Sequence, residues 1–513
     1  MSRYTKSIVA SGHAEVSRAA GTILEEGGNA FDAVVAAGFA SAVVEPALTS
    51  LGGGGLLVGR SEERGKNVFF DFFVDSPGRG RKPDRPPDDF FAVTVQFSGS
   101  SQDFNVGCGS VAVPGTLKGL LHTHRRLGRM GLGDVIAPAA ELARSHLLNE
   151  QQGHFLQLLR PIMTLSARGR AIYEPGGKYL QPGDRLCNPE IASFLDQLAT
   201  EGDDSFYRGE IAGKIDAEMR DRGGWLSYED LASYKVRERK ALNIPYRNGV
   251  LVTPGEPSMG GTLIGLSLSL MAEIKVKDEL WGTGLQLVNS VGLMNEVERL
   301  RKRGITSFEA LIGFMEQGKL KKKSMNNIRL FSRGTTHVSV ADRHGNCASM
   351  TCSNGEGSGY FAPTTGIMIN NMMGEDDLHP EGFHLMAPGK RVYSMMSPSL
   401  FMEGDRVRLV IGSGGSKRIR TAITQVLSQV VDFDLPLQRA VDSPRLYLDE
   451  GLLQIEPGFD SQALDQLENF VPVNRWTQRD VYFGGVHAVI PGVEGAGDPR
   501  RGGAVVVVNH PAA

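Results

Sequence analysis

The segment from Ala30 to Val44 reads AFDAVVAAGFASAVV, with small apolar side chains on every side of a helical wheel. A helix without a polar face has to be covered all round. A chain that carries one must build layers on each side of it. Gly27-Gly28 ends an earlier helix, expected over residues 15–26, and Asn29 is placed to cap the apolar one. The 513 residues suffice for about three average domains, or for one large layered fold.

The second constraint lies at Gly334-Thr335-Thr336-His337-Val338-Ser339-Val340. A polar, basic run, 317–333, precedes it, with Lys319, Lys321, Lys322 and Lys323 close together. Polar and apolar residues then alternate, which predicts a half-buried strand. A turn at His344-Gly345-Asn346 leads into a second strand over 347–352. A flexible loop running into a strand headed by two threonines suits a cleavage site. Scission between Gly334 and Thr335 would give Thr335 an α-amine beside its own hydroxyl. Such an amine has a pKa of roughly 7.7–8.0, so one residue can supply nucleophile and base.

Composition narrows the function. Net charge is −3, with 41% hydrophobic and 22% charged residues, which gives no reason to expect nucleic acid or an anionic membrane as partner. No run of 18 apolar residues occurs, and residues 1–6 are not followed by the apolar core of a secretory signal, so a cytoplasmic location is expected. Cys108, Cys187, Cys347 and Cys352 lack metal-type spacing and are expected as reduced thiols. Cys347 and Cys352, five apart in one strand, should point to opposite faces. Glycine is frequent, 64 residues, and clusters in tight loops. Gly52-Gly53-Gly54-Gly55 lacks the Lys-Ser/Thr ending of a P-loop and suits close packing or an amide-lined pocket wall.

Helices are expected over 117–126, 132–145, 150–166, 189–199, 209–221, 260–274 and 282–303, and residues 75–104 as a charged, Pro-rich surface loop. After Thr335 strands dominate: 336–340, 348–352, 366–369, 399–402, 407–411, 445–448, 452–455, 486–490 and 504–508. Helices at 419–431 and 436–441 interrupt them. A helix-rich first part joined to a strand-rich second part implies an α+β fold with sheets between helices.

Three loops carry chemistry. If the two strands after Gly334 pair as a hairpin, Thr351 or Ser353 comes near Thr335; a loop that merely caps strand ends reads equally well. Gly412-Ser413-Gly414-Gly415-Ser416 joins a strand to a helix, so its amides suit an oxyanion or a phosphate. Asn370 to Asp377 offers amides and three acids without EF-hand spacing, read as a turn with one acid facing a ligand ammonium.

Together these stretches resemble the γ-glutamyltransferase (γ-glutamyltranspeptidase) family. The resemblance is carried by Gly27 to Ala33, Val44-Glu45-Pro46, Gly52 to Gly55, Val113-Pro114-Gly115-Thr116, Thr335-Thr336-His337, Gly366 to Asn371, Met396-Ser397-Pro398 and Gly412 to Ser416, in the family's order. It implies an N-terminal-nucleophile hydrolase with an αββα four-layer sandwich. A zymogen would cut itself into a large subunit, residues 1–334, and a small catalytic subunit, 335–513, which stay associated. Thr335 matches the nucleophile, Ser353 a second threonine that bonds it, and Gly414 and Gly415 the oxyanion-hole glycines. Glu375 falls where an aspartate holds the substrate α-amine, and Ser394 on one of two serines that hold its α-carboxylate. Asn354, in the loop beside Ser353, is also assigned to substrate. No cofactor or metal is implied.

The sequence also departs from the family. The stretch that carries the family's carboxylate-binding arginine reads Asp71-Phe72-Phe73-Val74-Asp75, the second serine is Met395, and a glutamine of the acidic loop is Met372. Neither Phe nor Val replaces a bidentate arginine. The resemblance is to the divergent, signal-less branch, which includes acylase-like members. The expected activity is hydrolysis or transfer of a γ-glutamyl or related N-acyl group, as in glutathione metabolism, through an acyl-enzyme. Alternatives are a carbon–carbon bond hydrolase of a specialised-metabolite pathway, or an inactive binding homologue. Partners are a small amide or peptide-like substrate and, where copies associate, a homo-oligomer. Thr335→Ala is expected to leave the chain uncut on denaturing electrophoresis; cleavage that persists would mean the nucleophile lies elsewhere.

Overall fold

The computed structural model describes residues 3–81, 86–96, 101–274, 281–302, 334–379 and 381–511. The basic run 317–333 lies outside the described residues.

Thirteen strands build two central sheets. In chain order they are β1 (Lys6–Ser11), β2 (Gly54–Ser61), β3 (Lys66–Phe72), β4 (Arg237–Glu238), β5 (Leu242–Tyr246) and β6 (Gly249–Thr253). Then follow β7 (Thr336–Ala341), β8 (Cys347–Ser353), β9 (Ser399–Glu403), β10 (Arg406–Gly414), β11 (Gly485–Ile490), β12 (Glu494–Ala496) and β13 (Ala504–Asn509). One sheet runs β13-β1-β7-β8-β2-β3-β4 and the other β12-β11-β10-β9-β6-β5. Neighbouring strands pair antiparallel throughout both sheets. β7 and β8 pack across onto β10.

Helices close both outer faces. Helix α1 (Ala14–Glu25) and α2 (Ala30–Val44) lie on the first sheet, with α3 (Thr116–Leu127) and α4 (Leu132–Arg144) beside them. Helix α5 (Met259–Ala272) and α6 (Arg418–Val431) cover the second. This is the expected αββα sandwich. Every residue of α2 is buried, as its apolar sequence requires. The Asn29 side chain accepts from the Phe31 and Asp32 amides while Asp32 accepts from Asn29 N–H, so the buried helix start keeps its polar groups satisfied.

Strand alternation sorts side chains by layer. Val338 and Val340 join the helix-side core, whereas Ala341 joins the core on the other face. Cys352 and Cys347 separate in the same way, as expected.

Three expectations need correcting. Residues 75–104 are not one surface loop. Asp75 is buried against Arg391, and Phe91–Gln96 pairs with Ser101–Val106 as a hairpin. Residues 366–369 form no strand, because Met368 and Ile369 make only isolated bridges, to Phe361 and Gly52. The helix-rich first part also supplies six of the thirteen sheet strands, since the sheets interleave both parts of the chain. Among the described residues no helix is long and apolar enough to cross a membrane.

Phe39 lies mid-helix in α2 and is fully buried. Phe39→Ala is expected to cost about 3–5 kcal/mol, read as a lowered denaturant midpoint.

Candidate active site

Thr335 stands one residue before β7, and Ser353 closes β8. The register pairs Thr336 with Cys352, which brings Thr335 opposite Ser353. Both are buried. The Thr335 hydroxyl lies 3.5 Å from Ser353 Oγ. Ser353 Oγ donates to the Gly334 carbonyl oxygen at 2.6 Å and accepts from Gly355 N–H at 3.1 Å. A single hydroxyl thus touches the threonine oxygen and the carbonyl of the bond preceding it.

The next residue faces the helix layer. Thr336 Oγ1 donates to Glu45 Oε2 at 2.9 Å, where Glu45 follows the C-terminus of α2. Burial pushes the Glu45 carboxyl up to about 7, although the Thr336 hydroxyl and the Arg501 charge both pull it down. Arg501 Nη1 donates to the Thr335 carbonyl oxygen at 3.2 Å. Its loop is fixed by buried ion pairs: Arg445 with Asp498 at 2.5 Å, and Arg500 with Glu456 at 2.5 Å and Asp498 at 3.1 Å.

The second sheet reaches Thr335 through backbone. β10 ends at Gly414, and a Cβ there would collide with the Thr335 carbonyl oxygen. Gly412 is pinned likewise, because a Cβ would enter the His337 ring. His337 accepts at Nδ1 from Thr351 Oγ1 at 2.8 Å and pairs through Nε2 with Ser339 Oγ at 2.9 Å. Ser339 Oγ donates to the His487 carbonyl at 3.0 Å, so it accepts from His337, which fixes the Nε2–H tautomer. Burial holds the His337 pKa well below its usual value, so the ring is neutral.

The proposed site residues are therefore brought together in part. Ser353 and Gly414 each lie against Thr335. Gly415, with φ of 119°, follows Gly414 and lies beside Arg501. Glu375 comes up against Gly355, two residues after Ser353. Asn354 is buried, and neither its amide oxygen nor its amide nitrogen has a hydrogen-bond partner among the described residues. Ser394 makes local bonds instead: its hydroxyl accepts from Met396 N–H at 3.1 Å and its N–H donates to Pro257 O at 3.4 Å. Phe73 packs 2.9 Å from where a Gly54 Cβ would stand, and Gly54 pairs with Ser353. Phe73 and Met372 share one apolar cluster. The buried arginine nearest this stretch, Arg391, is committed to Asp71, Asp75 and the Tyr234 hydroxyl. Among the described residues no cluster of His, Cys, Asp or Glu could hold a metal.

Sequence reasoning missed Arg501 and the role of Glu45. In the sequence Glu45-Pro46 stands out only as part of the family pattern. Arg501 lies 166 residues from Thr335 in the chain, and nothing local marks it.

Compared with known proteins, residues 16–303 and 302–508 match the gamma-glutamyltranspeptidase family. The chain is 30% identical over 504 residues to the glutathione hydrolase proenzyme of Escherichia coli (strain K12), covering 91% of this chain and 85% of that one. It is 30% identical over 493 residues to the acylase ACY 1 proenzyme of Pseudomonas sp. (strain SE83), covering 90% and 86%. The solved cephalosporin acylase from Bacillus halodurans superposes with a TM-score of 0.81 at 21% identity, covering 98% of this chain and 96% of that one.

Gly412→Ala is expected to push His337 off the second sheet and lower thermal stability. Ser353→Ala should keep the fold but slow appearance of the two pieces by about 10²-fold, the usual cost of one lost oxyanion donor, followed as intact mass against time.

Proposed function

Because the chain belongs to the gamma-glutamyltranspeptidase family, we propose that it is an autoprocessing threonine hydrolase or acyltransferase acting on a γ-glutamyl or related N-acyl amide. The observation that carries this is the Ser353 hydroxyl, which donates to the Gly334 carbonyl while lying beside the Thr335 hydroxyl. In the precursor, Thr335 Oγ attacks the Gly334 carbonyl carbon. A C–O bond forms, the C–N bond to Thr335 breaks, and the hydroxyl proton passes to nitrogen. Ser353 polarises the carbonyl as negative charge grows on its oxygen. Water then hydrolyses the ester, leaving Gly334 as a carboxylate and Thr335 as a free N-terminus.

In the matured protein the Thr335 amine takes the hydroxyl proton, and Oγ attacks the substrate carbonyl. The amides of Gly414 and Gly415 serve as oxyanion donors, which the contact of Gly414 with Thr335 supports. The amine returns the proton to the leaving group, and water or an amine acceptor releases the acyl-enzyme.

We tie substrate choice to Phe73, which packs at Gly54 opposite Ser353, and to Met372 of the same apolar cluster. Phe73 and Met372 are buried and apolar, and Arg391 already has its carboxylates. A free α-carboxylate brought against Phe73 would lose hydration without gaining a cation. The Asn354 amide, without a hydrogen-bond partner among the described residues, is the polar contact we assign to an amide of the substrate, with Glu375 close by against Gly355. The balance favours an N-acyl amide without a free carboxylate at that position over γ-glutamate itself.

Purified protein should run as two pieces on denaturing electrophoresis, with Thr335 as a new N-terminus by Edman sequencing. A panel of anilides, γ-glutamyl against apolar N-acyl, should then show kcat/KM at least about tenfold higher for the apolar acyl groups. A single uncut band would remove the catalytic reading, and a γ-glutamyl preference would reverse the substrate assignment.

A further inference from the structure

We propose that Arg501 sets the proton affinity of the α-amine that self-cleavage gives Thr335, holding that amine neutral near physiological pH, with Glu45 as the opposing charge. The inference rests on the self-cleavage reading and adds to it how the base is tuned.

An N-terminal amine acts as a base only when unprotonated, and an ordinary one is more than half protonated at pH 7. Arg501 Nη1 bonds the Thr335 carbonyl oxygen at 3.2 Å. The nitrogen and carbonyl oxygen of one residue lie within about 4 Å of each other, so the guanidinium stands within roughly 7 Å of the new amine. A cation at that range disfavours a second positive charge. Burial brings Arg501 itself down to about 10, with Arg418 pushing the same way and Asp498, Glu45 and Asp480 opposing, so it stays charged through the neutral range.

Glu45 pulls in the other direction from one residue further on, through the Thr336 hydroxyl. The cation thus bonds Thr335 itself, and the carboxylate bonds its neighbour. Glu45 also loses its charge as pH falls through about 7, so its opposition fades where protonation of the amine would otherwise begin. The remaining titratable neighbours differ in weight. His337 and His487 are both held neutral by burial. Burial keeps the Cys352 thiol protonated, beside Glu45. Glu375 approaches from the far side of Gly355. Gly12, Glu45, Leu48, Phe155 and Arg501 line one small pocket, so the two charged side chains border the same space.

The test reads the amine directly. Matured protein is treated briefly with acetic anhydride across pH 5–10, and acetylation of the peptide beginning at Thr335 is measured by mass spectrometry. The wild-type amine should titrate below the ordinary 7.7–8.0 range. Arg501→Gln should raise that midpoint by about 1 unit and Arg501→Lys should largely restore it. Glu45→Gln should lower it, and the acidic limb of the kcat/KM profile should move with the amine in each variant. A wild-type chain recovered uncut would remove the threonine terminus and sink both readings. A cut chain whose amine titrates alike in wild type and Arg501→Gln would leave self-cleavage standing and overturn this proposal. Should Arg501→Gln fail to fold, the wild-type midpoint decides: a value below the ordinary range of roughly 7.7–8.0 supports the proposal, and one within or above that range overturns it.

Discussion

The two sheets meet at Thr335 through main chain. Gly414, the end of a strand in the second sheet, presses against the carbonyl oxygen of the residue that precedes a strand in the first. No side chain larger than hydrogen fits between them. This contact fixes where the threonine stands relative to the loop amides that follow Gly414, and backbone held on both sides by strand pairing has little freedom to drift.

Around that contact the space between the sheets is polar where an ordinary sandwich would be apolar. His337, Ser339, Thr351, Ser349 and Ser399 are buried and pass hydrogen bonds from strand to strand. A buried polar network specifies one register only when its members are satisfied. Here His337 is neutral with both nitrogens used, so the network holds strands without introducing a buried charge. Buried charge flanks this network in Glu45, Arg501 and the ion pairs of Asp498, and on the other side in Glu375 beside Gly355.

Phe73, Met372 and Met395 are apolar positions in stretches that the sequence resemblance assigns to substrate recognition. All three are buried. Met395 packs against α5 in a separate cluster, away from that of Phe73. The main-chain contact of Gly414 with Thr335 involves none of these three side chains.

The amino-acid order alone determined the buried helix, the hairpin that sets Thr335 opposite Ser353, the glycine loop after β10 and the alternation that sorts Cys347 from Cys352. Each follows from periodicity or turn chemistry over fewer than about twenty residues. It misplaced residues 366–369, where apolar character came from packing against the loop of Gly52, and it missed the hairpin of β5 and β6, which joins its sheet through the pairing of β6 with the remote β9. Only the tertiary structure decided that Arg501 would reach the Thr335 carbonyl, that Glu45 would meet Thr336, and that Arg391 would be consumed by Asp71 and Asp75. The physical reason is common to all three: a buried charge acquires its role from whichever opposite or polar group the fold delivers within a few ångströms, and those groups come from segments far apart in the chain.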